Sequence, residues 1–160
     1  MLSSAPKRPR LEVFGHEADG NYVTVKMAAL ADSASGRAEG RVDYELPVAM
    51  RRQGRLVIGQ GFIENKTPKL AGLGVHGLEH IQQAIFSNMA RQEGMPVVHQ
   101  PVTEEGPLRK WWERRGYRRI GESKNPDGTV SVVLEKEFSG EEAKPPTEKE
   151  REIIARLLGK

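Results

Sequence analysis

The sequence predicts a mixed α/β domain, a mostly antiparallel sheet flanked by helices, with a further helix appended at the C-terminus. Three observations carry this. β-type runs with short connections open the chain, the apolar period changes from two to about 3.6 after Gly74, and "KNPDG" signals a closing hairpin.

Residues 1–10, rich in Pro, Lys and Arg, read as a flexible arm. The β-type runs "NYVTVKMAAL" (21–30), "GRVDYELPV" (40–48) and "RLVIGQGFI" (55–63) follow, separated by "ADSASGRAEG" and "AMRRQG". Connections this short suit antiparallel neighbours in a meander. In the second run Val42, Tyr44 and Leu46 alternate with Arg41, Asp43 and Glu45, as in a sheet with one buried and one wet face.

Beyond Gly74, Val75, Leu78, Ile81, Ile85 and Met89 recur at steps of three or four, which predicts a helix ending at Gly94. "PVVHQPV" (96–102) is a buried strand, and "EEGPLRKWWERRG" (104–116) a shorter helix with Pro107 in its first turn and Gly116 as its stop. "YRRIGES" and "TVSVVLEKEF" flank the "KNPDG" turn. The main domain thus runs over 11–138 and a linker over 139–146. A helix over 147–160 opens with a capping box, Thr147 and Glu150. Its apolar side, Ile153, Ile154, Leu157 and Leu158, needs a partner surface; Pro145 and Pro146 hold it away from the last strand and favour association with a second copy or another protein over docking on its own domain.

Composition narrows the function classes. With 37% hydrophobic and 29% charged residues the chain is that of a globular protein. The absence of cysteine excludes disulfides, thiolate metal sites and a cysteine nucleophile, and fits a cytoplasmic setting. No apolar run approaches the ~20 residues that cross a bilayer, and the first ten residues contain no apolar signal segment, so no membrane partner is expected. Net charge is +3, but "PLRKWWERRGYRR" carries six basic residues against one Glu. That mixture of cations and tryptophans would suit stacked bases and phosphates; without a nucleic-acid module elsewhere it reads as a solvated basic helix, and nucleic acid is not expected as a partner. His76 and His80 share a helix face, yet no third ligand is evident, so no metal is expected.

"KTPKLAGLGVHGLEH" sets glycines at the entrance to the long helix, where unpaired N–H groups and a partial positive charge favour a phosphate. It lacks the Gly-Lys-Ser/Thr ending of a P-loop, and "GLGVHG" stands among antiparallel strands, unlike a dinucleotide turn. Lys69-Leu70-Ala71-Gly72-Leu73-Gly74 resembles the Q/R-x-x-G-x-G/A pyrophosphate loop of the GNAT superfamily of acyl-CoA N-acyltransferases, and "EGPLRKWWERRGYRRIGE" is similar to that family's "NxxAxxFYxxxGFxxxGE" layout. The resemblance covers about residues 55–138. It departs in three places: no amphipathic helices between the first strands, Glu105 in the Asn position, and Trp112 where the family's proton-donating Tyr stands.

The resemblance implies acetyl-CoA as co-substrate and transfer of its acetyl group to a primary amine of a small molecule or protein. The backbone N–H groups of Leu70, Ala71, Gly72, Leu73, Gly74 and Val75, with the Lys69 ammonium, would take the pyrophosphate. Gly59 and Gly61 either relieve crowding or mark a bulge that splays two strands, in which case the pantetheine amides would bond along Phe62, Ile63 and Glu64. Glu64 is either a solvated surface carboxylate or the base for the incoming ammonium. His99, at a strand end where the family's cleft opens, is either a structural histidine or an acid or base. Trp112 would line the cofactor channel; an indole N–H donates but transfers no proton near neutral pH. The competing expectation is a GNAT-fold module without catalysis, a binding or structural part of a larger assembly.

Overall fold

The structure, a computed structural model, describes residues 10–30 and 38–160. The expected arm and most of the first expected connection lie outside the described residues. In chain order the strands are β1 (Arg10–Asp19), β2 (Tyr22–Leu30), β3 (Ala38–Pro47), β4 (Met50–Arg52), β5 (Arg55–Ile58), β6 (Phe62–Asn65), β7 (Val97–His99), β8 (Val102–Glu104), β9 (Arg118–Lys124) and β10 (Val130–Phe138). The long helix α1 is continuous, with an α-helical start (Leu73–His80), a π-helical middle (Ile81–Phe86) and an α-helical end (Ser87–Glu93). Helix α2 spans Pro107–Glu113 and helix α3 Glu148–Leu157. The fold class is the expected one.

β1, β2, β3 and β6 form one antiparallel sheet in that order. Val23, Val25 and Met27 of β2 and Val42, Tyr44 and Leu46 of β3 point inward at every second residue and are buried. The second sheet runs β4-β5-β7-β10-β8, with β9 on the other edge of β10. β7 and β8 hold one register on β10, Lys136 opposite His99 and Val133 opposite Val102, so they are a single strand interrupted at Gln100 and Pro101. α1 packs across β1, β3 and β6, and its inward side chains Leu73, Leu78, Ile81, Ile85 and Met89 join both sheets in one core.

Two expectations change. The run 55–63 is not one strand of a meander: β5 pairs in parallel with β7, whereas β6 pairs with β3. The break falls on Gly59-Gln60-Gly61. A Cβ on Gly61 would lie 2.7 Å from Tyr44 Cε1, so only a bare backbone crosses the Tyr44 ring there. Residues 11–54 contain no helix among the described residues, and β1, which the periodicity did not predict, fills part of that stretch.

The C-terminal helix corrects the association expectation, because its apolar side is buried within its own chain. Ile153, Ile154 and Leu157 are buried against β1, β2 and the π-helical part of α1. The capping box forms as expected, Thr147 Oγ1 accepting from Glu150 N–H (3.2 Å) and Glu150 Oε1 from Thr147 N–H (2.9 Å). Glu150 Oε2 also meets His80 Nε2 of α1 at 2.7 Å, and Ala49 N–H donates to the Leu157 carbonyl (2.8 Å). The linker is strapped down too: Asn88 Nδ2 of α1 donates to the carbonyl of Lys144 (2.6 Å).

Candidate functional site

β5 and β7 run side by side from Leu56 and Val97 to Ile58 and His99, and Gln100 N–H closes the pairing on the Ile58 carbonyl (2.8 Å). Beyond that point the chains part: β6 follows β3 and β8 follows β10. The resulting gap encloses about 320 Å³ and is lined by Gln60–Ile63 and Asn65 on one side, by Pro101 and Val102 on the other, and by Gly74, Leu108, Trp111 and Trp112.

The exposed edge of β6 faces this gap. Lys66 N–H donates to the Arg41 carbonyl (2.9 Å), and antiparallel strands alternate the side to which their backbone groups point, so Phe62 and Glu64 direct theirs at β3 while Ile63 and Asn65 direct theirs into the gap. Of the three residues expected to present amides, Ile63 does so. Phe62 is nevertheless among the residues that line the gap, and the half-exposed Glu64 carboxylate lies outside the lining, paired with Lys66 Nζ at 2.9 Å.

Past β6 the chain turns into α1. Asn65 braces the turn: its Oδ1 accepts from Thr67 N–H (2.9 Å) and its Nδ2 donates to the Leu70 carbonyl (3.0 Å). Leu70 N–H is itself committed to the Thr67 carbonyl (2.9 Å), so Leu70 serves the loop and the core. Gly72 precedes the helix at φ 87°, ψ −2°, a left-handed conformation in which a side chain is strained. No side chain caps α1, which leaves the first-turn N–H groups of Leu73, Gly74 and Val75 unpaired within the helix, with Ala71 and Gly72 exposed beside them. Lys69 is exposed at the same loop and has no ion-pair partner among the described residues. Gly74 lines the gap, so the helix N-terminus opens onto it.

His99 is not at a cleft. It is fully buried, ringed by Tyr44, Phe86, Trp112 and Tyr117. Burial pushes its pKa down to about 3, so it is neutral. Its Nδ1 is hydrogen-bonded with Tyr117 Oη (2.8 Å), which also accepts from Gln82 Nε2 (3.3 Å). Its Nε2 has no partner among the described residues. The ring is thus enclosed behind the gap and is not among the residues that line it.

Trp112 is core, as burial among His99, Tyr117 and Trp111 requires, and one edge of it still lines the gap. Trp111 carries the Arg115 guanidinium 3.9 Å over its ring. Part of the basic run is ion-paired: Arg109 with Glu105 (2.6 Å) and Glu113 (3.2 Å), and Arg119 of β9 with Glu105 (3.1 Å). His80 is committed to Glu150, and no cluster of metal-ligating side chains occurs among the described residues. No helix among them is long and apolar enough to cross a membrane.

Sequence reasoning missed Asn65, Leu108 and Tyr117. An Asn two residues before a hydroxyl in "ENKTP" is a turn signal that would have marked the brace. Nothing local marks Leu108 and Tyr117, which reach the site through the packing of α2.

No protein-family model matches the chain, and no curated protein matches it. Among solved structures it is similar to an acetyltransferase assigned to the GNAT family from Desulfovibrio desulfuricans, with a TM-score of 0.44 and 17% identity over 71% of this chain and 68% of that one. An acyl-CoA N-acyltransferase from Pseudomonas aeruginosa gives 0.41 and 19%, over 71% and 68%. An aminoglycoside 6'-N-acetyltransferase complexed with coenzyme A gives 0.40 and 10%, over 71% and 72%.

Proposed function

We propose that the chain is a divergent member of the GNAT superfamily that holds acetyl-CoA or a related acyl-CoA in the gap between β6 and β8 and transfers its acyl group to a primary amine. One observation carries the reading: an outward-facing backbone edge at Ile63 and Asn65 leads directly to an uncapped helix N-terminus. A thread of amides ending in a pyrophosphate needs that combination, acceptors and donors along its length and unpaired N–H groups at its anionic end. The N–H groups of Ala71 to Val75 and the Lys69 ammonium would hold the phosphates. Trp112 would form the wall beside the thioester.

In the transfer, the amine nitrogen attacks the thioester carbonyl carbon. A C–N bond forms, the C–S bond breaks with its electrons on sulfur, and CoA leaves as thiolate. The ammonium proton passes to water or, through water, to the Glu64 carboxylate outside the lining, and the Ile63 N–H receives the carbonyl oxygen as it becomes anionic. A cytoplasmic setting, with a small-molecule or protein amine as acceptor, belongs to the same proposal and is supported by the absence of cysteine.

The second reading, a CoA-binding module without catalysis, is favoured by one feature. Among the described residues no ionisable side chain lines the gap, and His99 is sealed behind it. Two measurements separate the readings. Calorimetry with CoA and acetyl-CoA tests the site, and absence of heat at millimolar ligand overturns both. A thiol-release screen over amino acids, polyamines, aminoglycosides and peptides tests the chemistry; silence with tight CoA binding leaves the module.

A further inference from the structure

The gap is open to more than a short thread. Phe62 on β6 and Leu108 at the start of α2 both line it, and they remain 63% and 56% exposed, the most exposed large apolar side chains among the described residues. They belong to different elements that the splay of the strands holds apart. Between them the walls are Ile63, Val102, Trp111 and Trp112, and no charged side chain intervenes. Exposed apolar groups scattered singly are ordinary; two that border one uncharged apolar opening mark a surface that a ligand covers.

From this we infer that the gap selects an apolar acyl group longer than acetyl, a medium-chain aliphatic acyl carried on CoA, which lies between Phe62 and Leu108. The inference rests on the acyl-CoA reading above and adds the substrate class. The outward groups of Ile63 and Asn65 serve the amide-bearing part of the ligand, so the apolar lips are left for the part without amides. A charged acyl such as succinyl would desolvate its carboxylate against Trp111 and Val102 with no cation in the lining to pair with it.

Isothermal titration of the full chain with CoA, acetyl-CoA, butanoyl-CoA, octanoyl-CoA and succinyl-CoA tests this. Affinity is expected to rise along the aliphatic series, reaching about tenfold or more for octanoyl-CoA over acetyl-CoA, with succinyl-CoA weakest. Phe62→Ser and Leu108→Ser, at exposed positions where folding is not at stake, are expected to abolish the octanoyl advantage, read as the ratio of octanoyl-CoA to acetyl-CoA affinity within each variant. Equal affinity for acetyl- and octanoyl-CoA, or an octanoyl advantage that survives both substitutions, overturns the inference while the acyl-CoA reading stands. A flat acyl series accompanied by binding of octylamine or phenethylamine to the acetyl-CoA complex overturns it in favour of an apolar acceptor. Failure of every CoA species to bind removes the underlying reading as well.

Discussion

Gly72 and His99 show how single residues fix what the site can do. Gly72 combines a left-handed backbone with a position beside the unpaired N–H groups of α1. Gly72→Glu is expected to abolish CoA binding by placing a carboxylate where the phosphates would lie, at a cost in stability of about 1–2 kcal/mol for the strained conformation. Calorimetry and a thermal melt on one sample check both halves. His99 gives a pH signature instead. Its folded pKa, about 3, lies below the ordinary 6.5, so between those values the unfolded chain binds the extra proton and stability falls as pH falls. Unfolding free energies from urea titrations between pH 7 and pH 4.5 should drop by about 2–3 kcal/mol for the native chain and much less for His99→Phe. A native profile as flat as the variant's would mean that His99 is not sealed.

At the scale of elements, the helices and the hairpin were legible because each announces itself within a few residues. Gly94 and Gly116 do close their helices in left-handed conformation, and Asp127 and Gly128 do turn β9 into β10, with Asp127 Oδ1 accepting from Thr129 N–H (3.0 Å). What was not legible depends on partners distant in sequence. β1 buries chiefly Val13, with Leu11 partly buried, so no period of two stands out, although Asp19-Gly20 is a hairpin signal that could have found it. The division of 55–63 between two sheets depends on the Tyr44 ring beneath Gly61, and His99 reads as a cleft residue until its aromatic surroundings are assembled. The C-terminal helix is the same lesson in reverse: its capping box was plain, its docking was not. Glu150 is buried at the helix start, and although burial opposes its charge, hydrogen bonds from His80 and Thr147 hold its pKa below the usual carboxylate range. Deleting residues 147–160 should therefore lower the melting temperature by the same amount at every protein concentration. The loss of Ile153, Ile154 and Leu157 from the core is worth roughly 1.5–3 kcal/mol each before entropy is subtracted. A melting temperature that depends on concentration in the native chain alone would restore the association reading.

The molecule as a whole is two sheets that share one core, the chain passing from β5 of one to β6 of the other, with the gap opening beyond the β5–β7 pairing and α1 packed against both sheets. A ligand that enters the gap binds the folded state alone, so the melting temperature should climb with its concentration, by the equivalent of about 2.7 kcal/mol at a hundred times Kd. The same architecture provides an internal optical probe. The chain has two tryptophans, adjacent in sequence, and both form the wall of the gap. Whatever intrinsic indole emission the protein shows originates there, one ring almost enclosed and the other under the Arg115 guanidinium. Occupancy of the gap can thus be followed without any label, and Trp111→Phe and Trp112→Phe, prepared singly, would tell which wall a given compound touches.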